Sequence, residues 1–562
     1  MRIYKNALCL MFRSKILSIT LLLLTVFIGW DLISSKERLK PNGALGNAMT
    51  HSIFIFIIVM FVSFEYMKKL YNTGVSETIL ITSKGRNRKD CLAAILVLMT
   101  YSLLVSVMVC TIIMKQYLFF RIQDPNNEYK IHIIQCVILH IFLVADLAIV
   151  IGATLAKISH RMFAYVVMTF FSLMCCPFSS EIAQLIFTSC KGNWQPGRIA
   201  YGIVSNFFIV PRFDTKWPVE APYGESLMFD RICMIGFWMF FFFTVNCILS
   251  KRYKKYAVVF GGIAIALILT YHSPIARMNY GLALYYSGEP DWILARKYKN
   301  KDEKADYKIT AYDMDLSMNT MLSAKVNMRV SKSLEHYKMT LYNRYKVTKV
   351  TNQDGKKLDY RQKENYLDIY NKDKSEVTNI IIRYCGSDMN HYTSYQCCFL
   401  PGYFLYYPRA GYIPVYNEIY GYVYYSFVNE DTQFRVKVNS PEKYISNLPL
   451  KNGAFVGKCD GFTLVKGFFK KKDLGNGNIL VYPYLDHWIH FDGKKSEEEC
   501  WEEYFEESRK ELAIDNVKNK ILFFDSSINM NQGWVSGKDQ FFIQSYPVCY
   551  YSGMMPEEQS ED

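Results

Sequence analysis

The sequence has no G-x-x-x-x-G-K-[ST] phosphate loop, so it carries no nucleotide-hydrolysing motif of its own. Such a loop needs glycines so that backbone N–H groups can cradle phosphates, and a lysine to reach them. Gly74 and Gly85 are too few and wrongly placed. An H-E-x-x-H motif would set two histidines one helical turn apart to bind zinc, with a glutamate as base. None of His336, His391, His487 and His490 begins one. His487 and His490 are three apart, but Asp486 to Asp492 reads equally as an aromatic-flanked strand or loop, so no metal ligand is assigned. There is no C-x-x-C zinc pattern and no G-x-S-x-G elbow, and Cys397-Cys398 beside Tyr395 has no argued base. No small-residue cleavage site follows the apolar run Ile16–Ile33, which therefore reads as a retained helix and not as a signal peptide. Long apolar runs are missing after about residue 275.

What is present sits mostly before that point. The chain has 562 residues, a net charge of +14 and 16% aromatic residues. Its mean hydropathy of +0.02 suits neither a soluble protein nor one that is all membrane. A mixture of the two explains it. The positive charge would suggest nucleic acid in a soluble protein, yet much of it lies beside apolar runs and no recognition motif accompanies it. Membrane topology is the cheaper explanation, and no nucleic-acid partner is expected. Of 15 cysteines, Cys110, Cys136, Cys175, Cys176 and Cys247 lie within apolar runs, where cysteine acts as a small hydrophobe. Cys385, Cys397, Cys398, Cys459, Cys500 and Cys549 fall later. An even set permits disulfides, but spacing does not give the pairing.

A bilayer-crossing helix needs about 20 mostly apolar residues. Runs near 15–34, 49–67, 91–114, 131–156, 162–180, 230–250 and 256–272 make about seven spans. Ser179 to Val210 carries Glu181, Lys191, Pro196 and Arg198, and fits a re-entrant or interfacial helix pair better. Basic residues cluster beside alternate ends of the runs: Arg2 to Lys15, Lys68 to Lys89, Lys157 with Arg161, and Lys251 to Lys255. With seven spans all four clusters share one side, which the positive-inside rule makes cytoplasmic. Lys36, Arg38, Lys40 and Arg121 on the other side weaken the bias without reversing it. The N-terminus is then cytoplasmic in the cell membrane, and the C-terminal half is extracytoplasmic.

The connection after the second run is the most informative short stretch. It holds Glu65 to Lys69, then Gly74-Val75-Ser76-Glu77, then Ser83-Lys84-Gly85-Arg86-Asn87-Arg88-Lys89. A helix leaving the membrane, a short amphipathic segment, a glycine turn and a basic restart fit this order. The plain reading is a charged loop that sets topology. The sharper one is a coupling helix that presses on a cytoplasmic partner.

Here the sequence resembles permease subunits of ABC-2-type exporters over about residues 1–250. In that family an interfacial segment precedes the first span, an E-x-x-x-G-x-x-E-x-x-x-x-x-x-x-x-R kind of loop follows the second, and a partly inserted hairpin precedes the last core span. Glu65, Gly74, Glu77, Lys84, Arg86 and Arg88 stand at comparable places. The resemblance implies a separate ATPase subunit as partner, and a homodimer or second permease subunit. The seventh run, Tyr256 to Tyr271, departs from the minimal family pattern and returns the chain outward. Asp146 lies near the middle of the fourth run, with His140 six residues earlier on a partly different face. Charge buried in lipid usually faces the bundle interior or a water path. An interhelical hydrogen bond is the simpler reading, and a polar pathway contact is the alternative. Asp31 lies near the outer end of the first span.

From about Asp306 the pattern turns to period two, as half-buried strands require. Ala324 to Val330, Tyr345 to Val350, Leu358 to Tyr360, Tyr366 to Tyr370, Val377 to Tyr384, Phe434 to Val438, Phe462 to Phe469 and Lys520 to Phe524 read as strands. Asn352-Gln353-Asp354-Gly355 gives a hairpin turn, and the acidic stretch from Ser496 to Ile514 reads as a helix. The tyrosines from Tyr403 to Tyr425 read mainly as half-buried strand positions, with a peptide- or glycan-binding face as the alternative. Residues 305–485 resemble the N-terminal β domain of aminopeptidase N-type zinc peptidases. Tyr312 to Leu316, the Val347-to-Gly355 hairpin, Ile380 to Gly386, Tyr406-Tyr407-Pro408 and Phe434 to Val438 carry that resemblance. The family's catalytic residues have no counterparts here, so peptidase activity is not expected.

The fold class expected is an α-helical multi-span bundle, ABC-2-like, followed by a C-terminal mainly-β domain. The expected division is a permease domain over 1–275, a linker over 276–304, the β domain over 305–485 and an α/β extension over 486–562. The function expected is that of an exporter's membrane subunit with a non-catalytic outer domain that binds or gates substrate, a peptide being the candidate class. The alternatives are a membrane-anchored peptide-binding receptor and a degenerate membrane peptidase. No cofactor is expected.

Overall fold

The computed structural model describes residues 2–34, 41–72, 89–119, 127–158, 160–179, 208–211, 229–249, 254–272, 291–319, 321–386, 393, 398–417, 424–475, 478–483, 521–525 and 534–544. The chain divides into two compact units, residues 1–216 with 225–277 and residues 217–224 with 278–562.

The first unit is helical. Lys15–Ser34 buries Leu17, Leu21, Leu24, Ile28 and Leu32 along one stripe. Its other face is equally apolar: Trp30 is 73% and Leu22 61% exposed. A helix that is hydrophobic all round needs an apolar surrounding on its outer side as well, and lipid supplies one. Among the described residues five helices are long and apolar enough to cross a membrane: Lys15–Ser34, Ala44–Asn72, Leu92–Leu118, Tyr129–Leu155 and Arg231–Leu249. The two other expected spans are apolar but shorter, at Arg161–Cys175 and Lys255–Tyr271. An additional helix, Arg2–Arg13, precedes the first long one.

Two features shape the middle of the bundle. Glu128–Val137 and Leu143–Leu155 are joined by one π-helical turn, Ile138–Phe142. Such insertions re-aim the side chains that follow them. Gly152 lets Leu143–Leu155 lie directly on Ser52–Asn72, because a Cβ there would come within 2.3 Å of the Met60 carbonyl oxygen. Ser63 Oγ donates to the Ile149 carbonyl at 2.8 Å across the same crossing. Small residues at helix crossings allow this close approach.

The second unit is mainly β. Its largest sheet runs, in spatial order, Leu450–Lys451, Ala454–Lys458, Gln433–Val438, Ile309–Met318, Leu322–Val330, Asn379–Gly386 and Tyr345–Asn352. All neighbours are antiparallel except Ile309–Met318 with Gln433–Val438. Alternation decides which face is covered. Tyr312, Met314, Leu316, Val326, Met328, Ile380, Ile382, Phe434 and Val436 are buried, while Asp315, Lys325, Arg383 and Arg435 are exposed. A four-stranded sheet runs Asp359–Lys363, Tyr366–Tyr370, His336–Thr340 and Arg409–Ala410. A three-stranded sheet joins Ile445–Ser446, Leu464–Lys466 and Cys398–Leu400, and a five-stranded one runs from Phe469–Gly475 to Trp534–Ser536.

The Asp354-Gly355 turn forms, with Gly355 at φ 79° and Asn352 N–H donating to the Lys356 carbonyl. It does not close a simple hairpin. Thr351 bridges Lys357, after which Asp359–Lys363 leaves for the four-stranded sheet. The expected strand Phe462 to Phe469 is shorter and divided, with Leu464–Lys466 and Phe469–Gly475 in different sheets. The expected helix from Ser496 to Ile514 lies outside the described residues, as does most of 486–562.

Candidate functional site

The end of the bundle that carries the basic clusters is built by polar ties between helices. Glu65 lies on Ser52–Asn72 and accepts from Arg161 Nη2 at 2.6 Å. It also accepts from the Tyr165 hydroxyl, and the guanidinium lies 5.7 Å from the centre of that ring. At the next residue, the Tyr66 hydroxyl donates to the Ala7 carbonyl of Arg2–Arg13 at 2.6 Å. Lys68 Nζ donates to the Ile158 carbonyl at 2.7 Å, beyond the C-terminus of Leu143–Leu155. A cation placed there also meets the negative end of that helix. Lys69 Nζ donates to Ser14 Oγ at 2.5 Å, and Lys157 Nζ donates to the Asn246 carbonyl at 2.9 Å near the end of Phe229–Leu249. Lys68, Lys69, Lys157 and Arg161 therefore tie helix ends together within this unit.

Of the expected coupling residues only Glu65 is described, and its carboxylate joins two helices. Gly74, Glu77, Lys84, Arg86 and Arg88 lie outside the described residues. So does most of the expected hairpin from Ser179 to Val210. Its two flanks nevertheless meet: Val210 N–H donates to the Cys175 carbonyl at 2.8 Å, and Arg231 Nη1 donates to the Ile209 carbonyl at 2.6 Å. Cys175 and the described residues Ile209 and Val210 are thus neighbours in the bundle.

Asp146 and His140 are both buried. Asp146 accepts from Ser102 Oγ at 2.8 Å, a bond between Leu143–Leu155 and Lys89–Phe119. His140 lies in the π-helical turn. Asp31 accepts from Asn47 Nδ2 and lies 2.9 Å from His51 Nε2. Ser102, Asn47 and His51 gave no signal in the sequence, because a lone polar residue in an apolar run does not name its partner.

Of the tyrosine-rich stretch 403–425, Tyr403, Tyr406, Tyr407, Tyr412 and Tyr416 are core, Tyr424 is exposed, and Tyr420 and Tyr422 lie outside the described residues. Tyr403, Tyr406 and Tyr407 are buried in irregular backbone and not in strands, so neither a half-buried strand nor a binding face describes them. Tyr384 donates its hydroxyl to the Tyr406 carbonyl, and Tyr406 donates to the Phe462 carbonyl, each at 2.6 Å. Burial holds both phenols well above their ordinary pKa, so they remain donors. Arg409, 1% exposed, lies 3.7 Å from the Tyr407 ring centre and donates to the Gly402 carbonyl at 2.7 Å. Asp460 is buried and accepts from Lys538 N–H, Asp539 N–H and Gln540 Nε2.

Among the described residues no group of three or more His, Cys, Asp or Glu could hold a metal ion. His487 and His490 lie outside them. Cys385, Cys398 and Cys459 are free thiols, and Cys397, Cys500 and Cys549 are not described.

No family model and no curated protein matches the chain. Solved structures do. An M1 zinc metallopeptidase from Deinococcus radiodurans is 13% identical with a TM-score of 0.22, over 36% of this chain and 52% of that one. Leukotriene A4 hydrolase from Saccharomyces cerevisiae is 12% identical with a TM-score of 0.29, over 46% and 45%. Aminopeptidase A from Legionella pneumophila is 13% identical with a TM-score of 0.27, over 43% and 32%. The chain spans about half or less of the length of these structures.

Proposed function

We propose that the chain is the transmembrane permease subunit of an ATP-driven ABC exporter, coupled to a separate ATPase subunit. It would work in the cell membrane as a homodimer or with a second permease chain. The observation that carries this reading is the tied end of the bundle. Glu65 to Lys69, just before residues 73–88, bond to the N-terminal helix, to Ser14, to the turn after Leu143–Leu155 and to Arg161–Cys175. A partner that moves residues 73–88 on nucleotide binding would pull on all of these elements at once. Gly74, Glu77, Lys84, Arg86 and Arg88 are the docking residues in this reading, and Asp146 and His140 the polar groups along the pathway. The meeting of Cys175 and Val210 supports a hairpin between them. The β half, which resembles an aminopeptidase N-terminal domain but lacks the zinc motif, would bind or gate substrate outside the cell. A peptide is the candidate class.

The test is a mild-detergent pull-down of the tagged chain, with mass spectrometry and an ATPase assay on the eluate. The expected result is a stoichiometric nucleotide-binding subunit that is lost when Glu77→Ala and Arg86→Ala are combined. If no ATPase appears even with the neighbouring genes co-expressed, the exporter reading fails and a membrane-anchored receptor replaces it. Chelator-sensitive aminopeptidase activity would favour the degenerate peptidase instead.

A further inference from the structure

The solvent face of the seven-stranded sheet carries an unusual row of charge. Reading across five strands by register, Lys437 faces Asp315, Asp315 faces Lys325, Lys325 faces Arg383, and Arg383 faces Lys349. All five are exposed. Like charges directly opposite each other weaken a sheet, yet here three cations stand side by side on adjacent strands. Relief is slight: Lys325 reaches Asp315 at 4.0 Å, and in the next row Arg435 reaches Asp313 at 3.4 Å. The backbone adds a concavity. A register shift between Val347 and Lys349 interrupts the edge strand, and an open depression of about 440 Å³ is lined by Lys325, Arg383, Ser323, Thr348 and Cys385, with Asp315 also in its wall.

We propose that this face docks on the anionic headgroup layer of a phospholipid bilayer. An exposed cationic sheet face complements an anionic headgroup layer, and the depression is open enough to admit a phosphate group. The apolar helices earlier in the same chain make a bilayer the surface that this face meets at the highest effective concentration. The inference rests on those helices and on the sheet, and is independent of the exporter reading.

The experiment uses the full chain in nanodiscs of phosphatidylcholine alone or mixed equally with phosphatidylglycerol. Amine-reactive footprinting reads Lys325, Lys349 and Lys437 against Lys372 and Lys374, which sit in the turn from Asn371 to Lys374 and belong to no strand of this sheet. Labelling of the three is expected to be about threefold slower in the anionic discs. High salt should restore it, and Lys325→Glu with Arg383→Glu should abolish the protection of Lys349 and Lys437. Unchanged labelling of Lys372 and Lys374 in that variant reports an intact fold. Equal labelling in the two lipids overturns the proposal. Equal protection in both also does so, because it means that protein covers the face, either a second copy or an acidic stretch of this chain such as Glu557 to Asp562.

Discussion

At the scale of single residues, the second unit keeps its polar groups by enclosing them with fixed partners. Asp460 is buried and accepts several bonds, and buried Arg409 donates from both terminal nitrogens while its Nε has no partner among the described residues; a buried charge is costly unless it is bonded in this way. Cys459 shows what enclosure does to reactivity. Burial pushes its thiol up to about 12, whereas an unfolded thiol titrates near 8.5. Between those values the unfolded chain has released a proton that the folded chain retains. The stability contributed by Cys459 is therefore complete below about pH 8 and declines as pH rises toward 12. The thiolate is also the reactive form. At pH 8 a maleimide is expected to label the partly exposed Cys385 in the native chain and to leave Cys459 unlabelled until denaturant is added. Mass spectrometry of the digested protein reads both sites, and prompt native labelling of Cys459 would contradict its enclosure.

At the scale of elements, the close crossing of Ser52–Asn72 and Leu143–Leu155 depends on one missing methyl group. Gly152→Ala would force a Cβ to 2.3 Å from the Met60 oxygen and 2.9 Å from the Phe64 nitrogen. Backbone cannot yield as a flexible side chain can, so a loss of about 1–3 kcal/mol is expected, the usual range for overpacking. Gly262→Ala is the matched control. It lies in Lys254–His272 with nothing within 4 Å of its added Cβ, and should be neutral or stabilise by up to about 1 kcal/mol. Thermal unfolding in detergent, followed on both variants, separates packing from helix propensity. Equal melting temperatures would mean that the crossing is looser than its geometry. In the β half Gly402 and Gly461 stand in the same relation, since a Cβ on Gly461 would come within 2.5 Å of the Gly402 oxygen.

At the scale of the whole molecule, one chain joins a unit with an apolar exterior to a unit with an alternating, charged exterior. Leu22, Leu23, Val26 and Trp30 are all more than half exposed in the first unit, an arrangement that water does not tolerate over so long a helix. The chain is expected to stay in the membrane pellet through alkaline carbonate extraction, which strips peripheral proteins. Release into the supernatant would show that a protein partner, and not lipid, covers those faces.

Hydropathy and alternation alone determined the division into a helical half and a β half. They also placed most of the strand segments named from the sequence within a residue or two, because periods of 3.6 and 2 are local consequences of backbone geometry, but left others such as Ile309–Met318 and His336–Thr340 unnamed as strands. The turn at Asp354-Gly355 was legible for the same reason. Hydropathy marks apolar runs but not where each helix ends, so of seven apolar runs five are helices long enough to cross a membrane and two, Arg161–Cys175 and Lys255–Tyr271, are shorter apolar helices among the described residues. The partners of Asp146, Asp31 and Glu65 were invisible in it, since Ser102, His51 and Arg161 lie tens of residues away. Tertiary structure alone decided that Tyr403, Tyr406 and Tyr407 belong to the core and that Asp359–Lys363 crosses to a second sheet. Only the register of the strands set Lys325, Arg383 and Lys349 side by side. Contacts between distant segments depend on which surfaces meet after the elements have formed, and no local pattern encodes that.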